Sequence, residues 1–571
     1  MPSVVYNPYG RRSIPSYAAR TSTLLHNHSR WETRTEHRSY DIDELFSRLE
    51  DPKRKGQRRL ENIRDVYQPA EIERLLWDAC VHERRGLELV ELVARSGYKH
   101  RVESSSGSSE IVTPVHRALR VKDRRRRDGL LRSLFEIYDD CRANYADHES
   151  WTHFHAACVA GCRDIVAGYL ELGLDPDAPV LGTGDRPLHI AMAENRPEVV
   201  ELLLRRGAQP NLLVKGDFVP LHAIPWREAG AHELARLFLE VCDELGQRVP
   251  IDIREAERGN TPLHMAVIHG GGADSIELLL RRGAEPNRVN KSGSSLLQSC
   301  LERNDDRLLE AFFRVNDELK QTVRVDGPTN VSGQTPLRWA VRKLRPRAVE
   351  ILLDHGADLA SFRFPDRPSD FAKHGWSFGR DGNRRLRIAA GLLGVVESLE
   401  RGGYALDPAT VVRLFDWHGL YEKTKPSEGW CTDREFAREA KGITIKKDGD
   451  SSLSLYDLIL SPAEDAAKLL TYEDYSRLAR TVELPKRQRR ACELHLCEKV
   501  ARGFFRRWAE AVCRDEIVHD TLTNKELRAM CLAAAVEDDD DKSSQATSLV
   551  SKVARSLFGK LLVGRDYSRV D

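Results

Sequence analysis

The chain has 571 residues, and its 89 Lys and Arg against 88 Asp and Glu leave a formal net charge of +1. That length exceeds what one hydrophobic core serves, so we expect several domains, or a repeat array with a second domain. The balanced charge gives no electrostatic basis for binding nucleic acid or an anionic membrane. No apolar run approaches the ~18 residues of a membrane-spanning helix, which predicts a protein that is not integral to a membrane.

Cysteine usage and the N-terminal residues indicate the compartment. The 11 cysteines show no CxxC pair and no zinc-type Cys/His spacing, a pattern typical of reduced thiols in an intracellular protein. Residues 1–22 lack the apolar core of a signal peptide. We therefore expect a cytoplasmic protein, with the nucleus as the alternative, and we expect neither a metal nor another cofactor.

The first 110 residues are predicted to lead into a repeat array. Residues 1–40 are rich in Arg, Ser, Tyr and Pro without periodicity, so we interpret them as a disordered segment. Residues 41–110 are predicted to hold N-terminal helices and a degenerate capping repeat. The segment 71–97 has a two-helix pattern, and a terminal repeat can be atypical because it contacts only one neighbour. The segment 103–110 (ESSSGSSE) is predicted to be a loop inside this unit.

Residues 111–361 carry an internal repeat, which is clearest from Thr261 to Asn287. Thr261 and Pro262 suit the N-cap and first position of a short helix, and Gly283 suits the end of a second helix, where φ is positive. Two short helices cannot bury their shared apolar face alone, so copies should stack beside them. Copies of the T-P-L-H anchor begin at Thr113, Thr152, Arg186, Val219, Thr261, Ser295 and Thr335. Their spacing is about the 33 residues of an ankyrin repeat, and the stretch resembles that family.

Some repeats are predicted to have a longer second helix and a longer outgoing segment, as at 237–252 and 312–326. Insertions in a repeat array map to one face, so these segments should project together. Ankyrin arrays bind through their hairpin tips and inner helices, and the longer segments would enlarge that surface. The candidate protein-binding residues of these loops and of the adjoining ridge are Arg205, Arg206, Arg281, Arg282, Asp243 and Asp317.

The histidines of the T-P-L-H anchors are predicted to be structural. Each belongs to a different repeat, and stacked helices lie about 10 Å apart, so these histidines cannot share a metal ion. We expect them to form hydrogen bonds between neighbouring repeats. The basic runs at 124–127 and 486–490 are flanked by acidic residues. They are interpreted as solvated loops rather than as nuclear-import or nucleic-acid motifs.

The pattern changes after residue 361. Residues 362–384, rich in Pro, Gly and Arg, are predicted to form a linker, and residues 385–535 a second region without strands. Its helices are expected at 385–399, 407–419, 454–470 and 491–512. Residues 536–571 are predicted to form an acidic linker and a basic amphipathic helix. That helix would dock on this chain or on a partner, with binding to a membrane surface as the alternative.

The chain as a whole resembles ankyrin-repeat proteins with a C-terminal PRANC (F-box-like) region, a family of poxviruses and insects. The resemblance covers roughly residues 70–535 and rests on THFHAAC at 152–158, SLYDL at 454–458, AAKLLTYEDY at 466–475 and LCEKVARGFFRRWA at 496–509. It implies an adaptor whose repeats capture a target while its F-box-like helices bind a Skp-type adaptor of a cullin ubiquitin ligase. The F-box-like positions in this chain are Glu516, Ile517, Leu522, Glu526 and Leu527, whereas Glu510-Ala511 stands where the family has Leu-Pro.

The sequence therefore predicts an all-α fold, with an ankyrin-repeat solenoid followed by a C-terminal all-helical domain. The leading hypothesis is a non-enzymatic, monomeric scaffold that binds a protein target through its repeats. No P-loop, GxSxG, HExxH or kinase-like HRD set is present, so no catalytic residue is assigned. The alternative hypothesis is a substrate receptor of a cullin-type ubiquitin ligase that modulates NF-κB-type signalling, as the resemblance implies.

Overall fold

The described part of the chain forms two compact units. The first unit ends at Val323 and the second begins at Arg324. The computed structural model describes residues 67–101, 111–181, 183–303, 305–327, 334–365, 383–406 and, with short gaps, 431–514, together with the single positions 42, 63, 410 and 414. The predicted segments 1–40, 103–110, 407–419 and 536–571 lie wholly or mostly outside these residues.

The first unit is a stack of helix pairs, each made of a first helix and an antiparallel second helix. The pairs are α1 (Pro69–Ala79) with α2 (Gly86–Arg95), α3 (Pro114–Leu119) with α4 (Arg124–Ile137), α5 (His153–Ala160) with α6 (Arg163–Glu171), α7 (Pro187–Ala193) with α8 (Pro197–Arg205), a 3-10 helix (Pro220–Ala223) with α9 (Ala231–Glu244), α10 (Pro262–His269) with α11 (Ala273–Arg281), and α12 (Leu296–Glu302) with α13 (Asp306–Glu318). First helices such as α10 and α12 contact each other, and so do second helices such as α11 and α13.

Local chemistry sets the ends of these helices as the sequence predicts. The Thr261 hydroxyl accepts a hydrogen bond from the backbone N–H of His264 at 3.4 Å, and Pro262 occupies the first position of α10, where no N–H is needed. Gly270 ends α10 at φ 91° and Gly283 follows α11 at φ 90°. Both lie in the left-handed region that a side chain disfavours. The predicted repeat anchors and C-caps are confirmed here.

The longer second helices are confirmed as well. Helices α4 and α9 have 14 residues each and α13 has 13, whereas α6, α8 and α11 have nine. Helix α13 buries an apolar face that includes Phe312 and Phe313. The extra length therefore extends the hydrophobic core between repeats instead of forming a free loop.

One repeat departs from the helical pattern in its first helix. The chain forms a 3-10 helix at Pro220–Ala223, and Ile224 leaves the helical region with φ −58° and ψ 131°. The cause is Pro225, because proline disfavours a helical conformation in the residue before it and has no N–H to continue the helix. The segment from Trp226 to Gly230 therefore stands where other repeats continue their first helix.

The second unit begins with a further helix pair and continues with other helices and one hairpin. In chain order its elements are α14 (Pro336–Arg342), α15 (Pro346–Asp354), α16 (Arg384–Arg401), α17 (Arg434–Lys441), β1 (Thr444–Asp448), β2 (Ser451–Ser454), α18 (Leu455–Leu460), α19 (Tyr472–Thr481) and α20 (Arg489–Arg514). Helix α16 packs against α15, α19 and α20. The carboxylate of Glu493 in α20 accepts a hydrogen bond from the backbone N–H of Arg385 at 2.5 Å, which caps the start of α16.

The predicted all-α class with ankyrin repeats is confirmed, and two details of the second unit are corrected. Strands β1 and β2 pair antiparallel, with Asp448 opposite Ser451, so the expectation of a region without strands was wrong. The helix expected over 454–470 ends at Leu460, because Pro462 excludes a helical Ser461, whose ψ is 145°. The expected helices over 385–399 and 491–512 are confirmed. The predicted domain boundaries stay predictions.

Two glycines of α16 allow the close approach of the turn between α14 and α15. A Cβ atom at Gly394 would lie 2.6 Å from Cγ of Pro346, and one at Gly391 would lie 2.8 Å from Cβ of Leu344. These distances are shorter than carbon–carbon van der Waals contact, about 3.5–4.0 Å. Helix α16 can therefore reach its position only without side chains at these two positions.

The substitution Gly394→Ala is expected to destabilise the protein, although alanine favours a helix over glycine by ~1 kcal/mol. Overpacking against the rigid Pro346 ring should cost about 1–3 kcal/mol net, measured by urea unfolding of the full chain. The matched control is Gly129→Ala in α4, where the nearest atoms belong to the side chain of Leu87 at 3.2 Å. That control should be neutral or stabilising. Equal midpoints for the two variants would contradict the close-approach argument.

Candidate protein-binding surface

The anchor histidines hold successive repeats in register. Each Nε2–H donates to a backbone carbonyl of the following repeat segment: His116 to Trp151 (3.0 Å), His155 to Ala178 (2.9 Å), His189 to Phe218 (3.1 Å) and His222 to Ile253 (3.1 Å). The predicted bonds between repeats are confirmed at these four positions. His264 contacts its own Thr261 hydroxyl at 2.9 Å, while its Nε2 is buried without a hydrogen bond.

Hairpins connect the repeats, and an acidic side chain folds the tips of two of them, those before α5 and α10. Asp147 accepts from the N–H groups of Glu149 and Trp151 at 3.0 and 2.9 Å. Glu255 caps the hairpin before α10 in the same way through Arg258 and Asn260. Because these carboxylates accept hydrogen bonds from the backbone, they shape the hairpin tips.

Neighbouring hairpins are joined to one another, which makes their tips a continuous surface. The N–H of Ala256 donates to the carbonyl of Gly216 at 2.8 Å, and the N–H of Lys291 donates to the carbonyl of Arg258 at 2.8 Å. Apolar side chains on this row are left in solvent, with Leu181, Leu213 and Val289 being 78%, 49% and 39% exposed. The hairpin row thus combines an ordered backbone with exposed apolar side chains.

Two aspartates form a second set of bonds between repeats. The carboxylate of Asp177 accepts from the N–H of Gln209 at 3.1 Å, and that of Asp252 accepts from the N–H of Glu285 at 3.1 Å. Burial raises the pKa of both carboxyl groups, with the backbone hydrogen bonds acting in the opposite direction. These aspartates fix the segment after each second helix relative to the next repeat.

The predicted ridge arginines lie at the ends of second helices and cross between repeats. Arg205 of α8 donates to Glu244 of α9 at 2.9 Å. Arg281 of α11 donates to Glu318 of α13 at 2.5 Å. All four side chains are 42–59% exposed, so solvent screens each ion pair. The ridge is therefore a row of neutralised pairs rather than a basic patch.

The other predicted ridge and loop residues have the same surroundings. Arg282 donates to Asp243 at 2.6 Å, and Arg206 donates to Glu171 at 3.3 Å. Asp317 is exposed. Asp243 and Asp317 lie in the last turns of α9 and α13 rather than in outgoing loops, because those helices are longer than the prediction assumed. Their role in binding a partner stays a prediction.

The basic run at 124–127 is not a solvated loop, and that interpretation is corrected. Asp123 caps α4 by accepting from the N–H of Arg126 at 2.7 Å, so the four arginines form the first turn of a helix. Arg126 donates to the carbonyls of Cys80 and His82 at 3.0 and 2.7 Å, at the C-terminal end of α1, where a cation is favoured. The run is part of the packing between repeats.

A network of buried charges extends from this helix along the turns between first and second helices. Arg127, only 5% exposed, donates to Glu194 at 2.6 Å, and its side chain also contacts Asp128 at 3.1 Å. Arg196 pairs with the other oxygen of Asp128 and donates to the carbonyl of Val159 at 2.8 Å. Arg124 joins Glu194 to the exposed Glu228. Sequence reasoning missed this network because its ion pairs between repeats join residues 67, 68 and 104 positions apart.

Other predicted features can be placed only in part. The F-box-like positions Glu516, Ile517, Leu522, Glu526 and Leu527 lie outside the described residues. Within the described ranges, no group of three or more metal-ligating side chains is found, and no helix is long and apolar enough to cross a membrane. A cleft of about 380 Å³ lies between α15, α16, α19 and α20, and its wall includes the charged side chains Glu350, Arg401 and Lys499.

Comparison with known proteins identifies the repeats. A family model for ankyrin repeats, spanning three copies, matches residues 125–213 and 263–362. The chain is 30% identical over 152 residues to the probable 26S proteasome regulatory subunit p28 of Saccharomyces cerevisiae (26% of this chain, 63% of that protein). It is 32% identical over 186 residues to the B-cell lymphoma 3 protein homolog of Mus musculus (31% of this chain, 39% of that protein). The chain therefore carries ankyrin repeats.

These similarities concern a part of each protein. The chain is 28% identical over 179 residues to the transient receptor potential cation channel subfamily A member 1 of Homo sapiens, which is 31% of this chain and 15% of that protein. It thus spans less than two thirds of the curated relatives it matches. The crystal structure of the ankyrin repeat domain of Bcl-3, a member of the IκB family, is 25% identical with a TM-score of 0.32, over 37% of this chain and 89% of that one.

Proposed function

We propose that this protein is a non-enzymatic scaffold that binds a protein partner through the hairpin row of its ankyrin repeats. Ankyrin repeats are protein-interaction modules, and the observation that supports this particular surface is the ordered hairpin row with exposed Leu181, Leu213 and Val289. Exposed apolar side chains on a rigid backbone are typical of binding surfaces. The absence of catalysis is part of the proposal, since an ankyrin-containing relative, AnkX of Legionella pneumophila, is named as a phosphocholine transferase.

The test compares partner recovery by two variants of the full chain. Replacing Leu181, Leu213 and Val289 together by serine should abolish recovery of specific partners in affinity purification with quantitative mass spectrometry. Charge reversal of Arg205, Arg206, Arg281 and Arg282 tests the ridge in parallel. The replaced side chains are exposed except for the half-buried Arg282, and exposed ion pairs contribute little to stability, so the thermal midpoint should stay near that of the unaltered protein. Undiminished recovery by the serine variant would exclude the hairpin row.

A second candidate function is that of a substrate receptor for a cullin ubiquitin ligase. Its support is the family resemblance of the segments 454–458, 466–475 and 496–509, which contribute to the helical part of the second unit around α18, α19 and α20. In this proposal the repeats hold the target, the F-box-like positions hold a Skp-type adaptor, and NF-κB-type signalling is the affected process. The protein would act in the cytoplasm, with the nucleus as the alternative, as a monomer.

This candidate has its own experiment. The full chain should co-purify with a Skp-type adaptor and a cullin, and Ile517→Asp with Leu522→Asp should remove both. The leucine and isoleucine are replaced by charges because burying an uncompensated charge against an adaptor is unfavourable. If the unaltered chain recovers neither ligase component while still recovering other partners, the receptor proposal fails and the scaffold proposal remains.

A further inference from the structure

Two arginines from different repeats lie beside the C-terminal end of helix α10. Arg227 lies in the segment that Pro225 keeps out of a helix, and Arg303 follows α12. Both side chains are exposed. A third exposed arginine, Arg258, lies on the hairpin before α10.

The guanidinium groups of Arg227 and Arg303 lie beside Gly270, the C-cap of α10. A Cβ atom added there would lie 3.0 Å from Nη2 of Arg303 and 3.8 Å from Nε of Arg227. Arg303 also donates to the carbonyl of Ile268 at 3.4 Å. The last carbonyls of a helix attract cations, which explains why Arg303 comes to this end of α10. Because position 270 has no side chain, both guanidinium groups can approach the backbone at the end of α10.

His269 is the last residue of α10 and lies next to Gly270. Its Nε2 atom is buried and has no hydrogen-bond partner, although most buried polar atoms in proteins have one. Burial lowers the pKa of His269, and the positive charges of Arg227, Arg303 and Arg258 lower it further. The histidine is therefore neutral near pH 7 and adds no positive charge to the cluster.

The cluster differs from the rest of this edge because its charges are not neutralised. Neither Arg227 nor Arg303 forms an ion pair with any residue in the described part of the chain, whereas Arg124 and Arg127, three repeats before Arg227, pair with Glu228 and Glu194. Nearby carboxylates are engaged elsewhere. Glu255 caps its own hairpin, and Glu302 accepts from Gln298 at 2.8 Å. Like charges held together are unfavourable unless an anion joins them.

We propose that Arg227 and Arg303 form a docking site for an acidic peptide segment of a partner protein at the C-terminal end of α10. Guanidinium groups bind carboxylates through two parallel hydrogen bonds, and two repeats present such groups on either side of Gly270. The near-neutral chain offers no extended basic surface to a nucleic acid backbone, so we assign a short acidic peptide as the occupant. This site rests on the proposed scaffold function and names the chemistry of one partner.

The test measures binding of a fluorescent twelve-residue Asp/Glu peptide to the full chain by anisotropy. The peptide should bind at low salt, weaken as salt rises, and bind at least about tenfold more weakly to Arg227→Gln with Arg303→Gln. The control is Arg236→Gln with Arg248→Gln, which removes the same charge from exposed positions of the same unit. This control should bind the peptide as the unaltered chain does.

Three results would overturn the assignment. They are equal binding of the Asn/Gln version of the peptide, an equal loss in the control variant, and tighter binding of a single-stranded RNA of the same length. The outcome is separable from that of the scaffold proposal. If the acidic peptide does not bind while the full chain still recovers partners through its hairpin row, only this site fails.

Discussion

Lowering the pH from 6 to 5 is expected to destabilise the ankyrin repeats by on the order of 5 kcal/mol, because buried anchor histidines must remain neutral. Burial lowers the pKa of His155, His222 and His264 to about 4 and that of His189 to about 3. In the unfolded chain each imidazole has a pKa near 6.5. The four histidines thus titrate in the unfolded state well before they titrate in the folded state.

The hydrogen bonds explain why the folded state resists protonation. In His155 and His222, Nε2 must carry the proton, since it donates to a carbonyl. Nδ1 then accepts from the backbone N–H of Thr152 or Val219, at 3.2 Å in both repeats. A second proton on Nδ1 would face that N–H donor and break the bond. Charging the ring would therefore cost both burial and one hydrogen bond.

The sign of the pH dependence follows from these shifts. Between pH 6.5 and about 4 the unfolded state binds more protons than the folded state, so the free energy of unfolding falls as pH falls. Each histidine contributes about 1.4 kcal/mol per pH unit in this window. The four neutral histidines therefore make their full contribution to the free energy of unfolding above pH 6.5. The carboxyl groups of Asp177 and Asp252, whose pKa values are raised, act in the opposite direction.

Urea unfolding at several pH values measures this dependence, and the chain itself suggests the matched variant. Gln298 occupies the anchor position of the repeat after His264, where Ser295 accepts from its N–H at 3.2 Å. The substitution His264→Gln copies that arrangement and should reduce the pH dependence by one histidine's share, about 1.4 kcal/mol per pH unit. A slope unchanged in this variant, or stability that is flat between pH 7 and 5, would contradict the histidine assignment.

The sequence was sufficient to predict structural features whose cause lies within a few neighbouring residues. The T-P-L-H anchor predicted the N-cap at Thr261 and the first-turn position of Pro262, because both follow from backbone hydrogen bonding within four residues. Gly270 and Gly283 mark helix ends for the same reason. A local signal for the hairpin of the second unit was also present, since Asp448-Gly449 is a turn dipeptide between two polar β-prone runs. It was missed because no element was predicted between the helices expected at 407–419 and 454–470.

The sequence was insufficient to predict ion pairs whose two residues are far apart along the chain. A run of four arginines fits a solvated loop equally well until the fold brings Glu194 to Arg127. The ridge is similar, because Arg205 and Arg281 look like free cations until α9 and α13 supply Glu244 and Glu318. The stacking of repeats determines which charged side chains form ion pairs. The spacing of the T-P-L-H anchors does not predict this pairing. The cluster around Gly270 is visible only after this pairing is known.

The second large expected effect is a loss of stability on breaking the buried ion pair between Arg127 and Glu194. The substitution Glu194→Gln should lower the free energy of unfolding by about 3 kcal/mol, because it leaves a charged guanidinium with a 6% exposed side chain and one remaining anion, Asp128. Asp128 already pairs with Arg196. The matched control is Glu228→Gln, which removes a 40% exposed partner of Arg124 and should cost less than ~1 kcal/mol. Urea unfolding of the full chain at pH 7 measures both.

A double substitution separates the loss of an ion pair from the loss of packing. Replacing Arg127 and Glu194 together by leucine removes both charges and keeps apolar volume, so much of the stability lost in Glu194→Gln should return. Equal costs for Glu194→Gln and Glu228→Gln would mean that water reaches the network and that burial is unimportant there. A double variant less stable than Glu194→Gln would instead show that the pair, with its bonds to Asp128 and Arg124, stabilises the stacked repeats more than an apolar contact can.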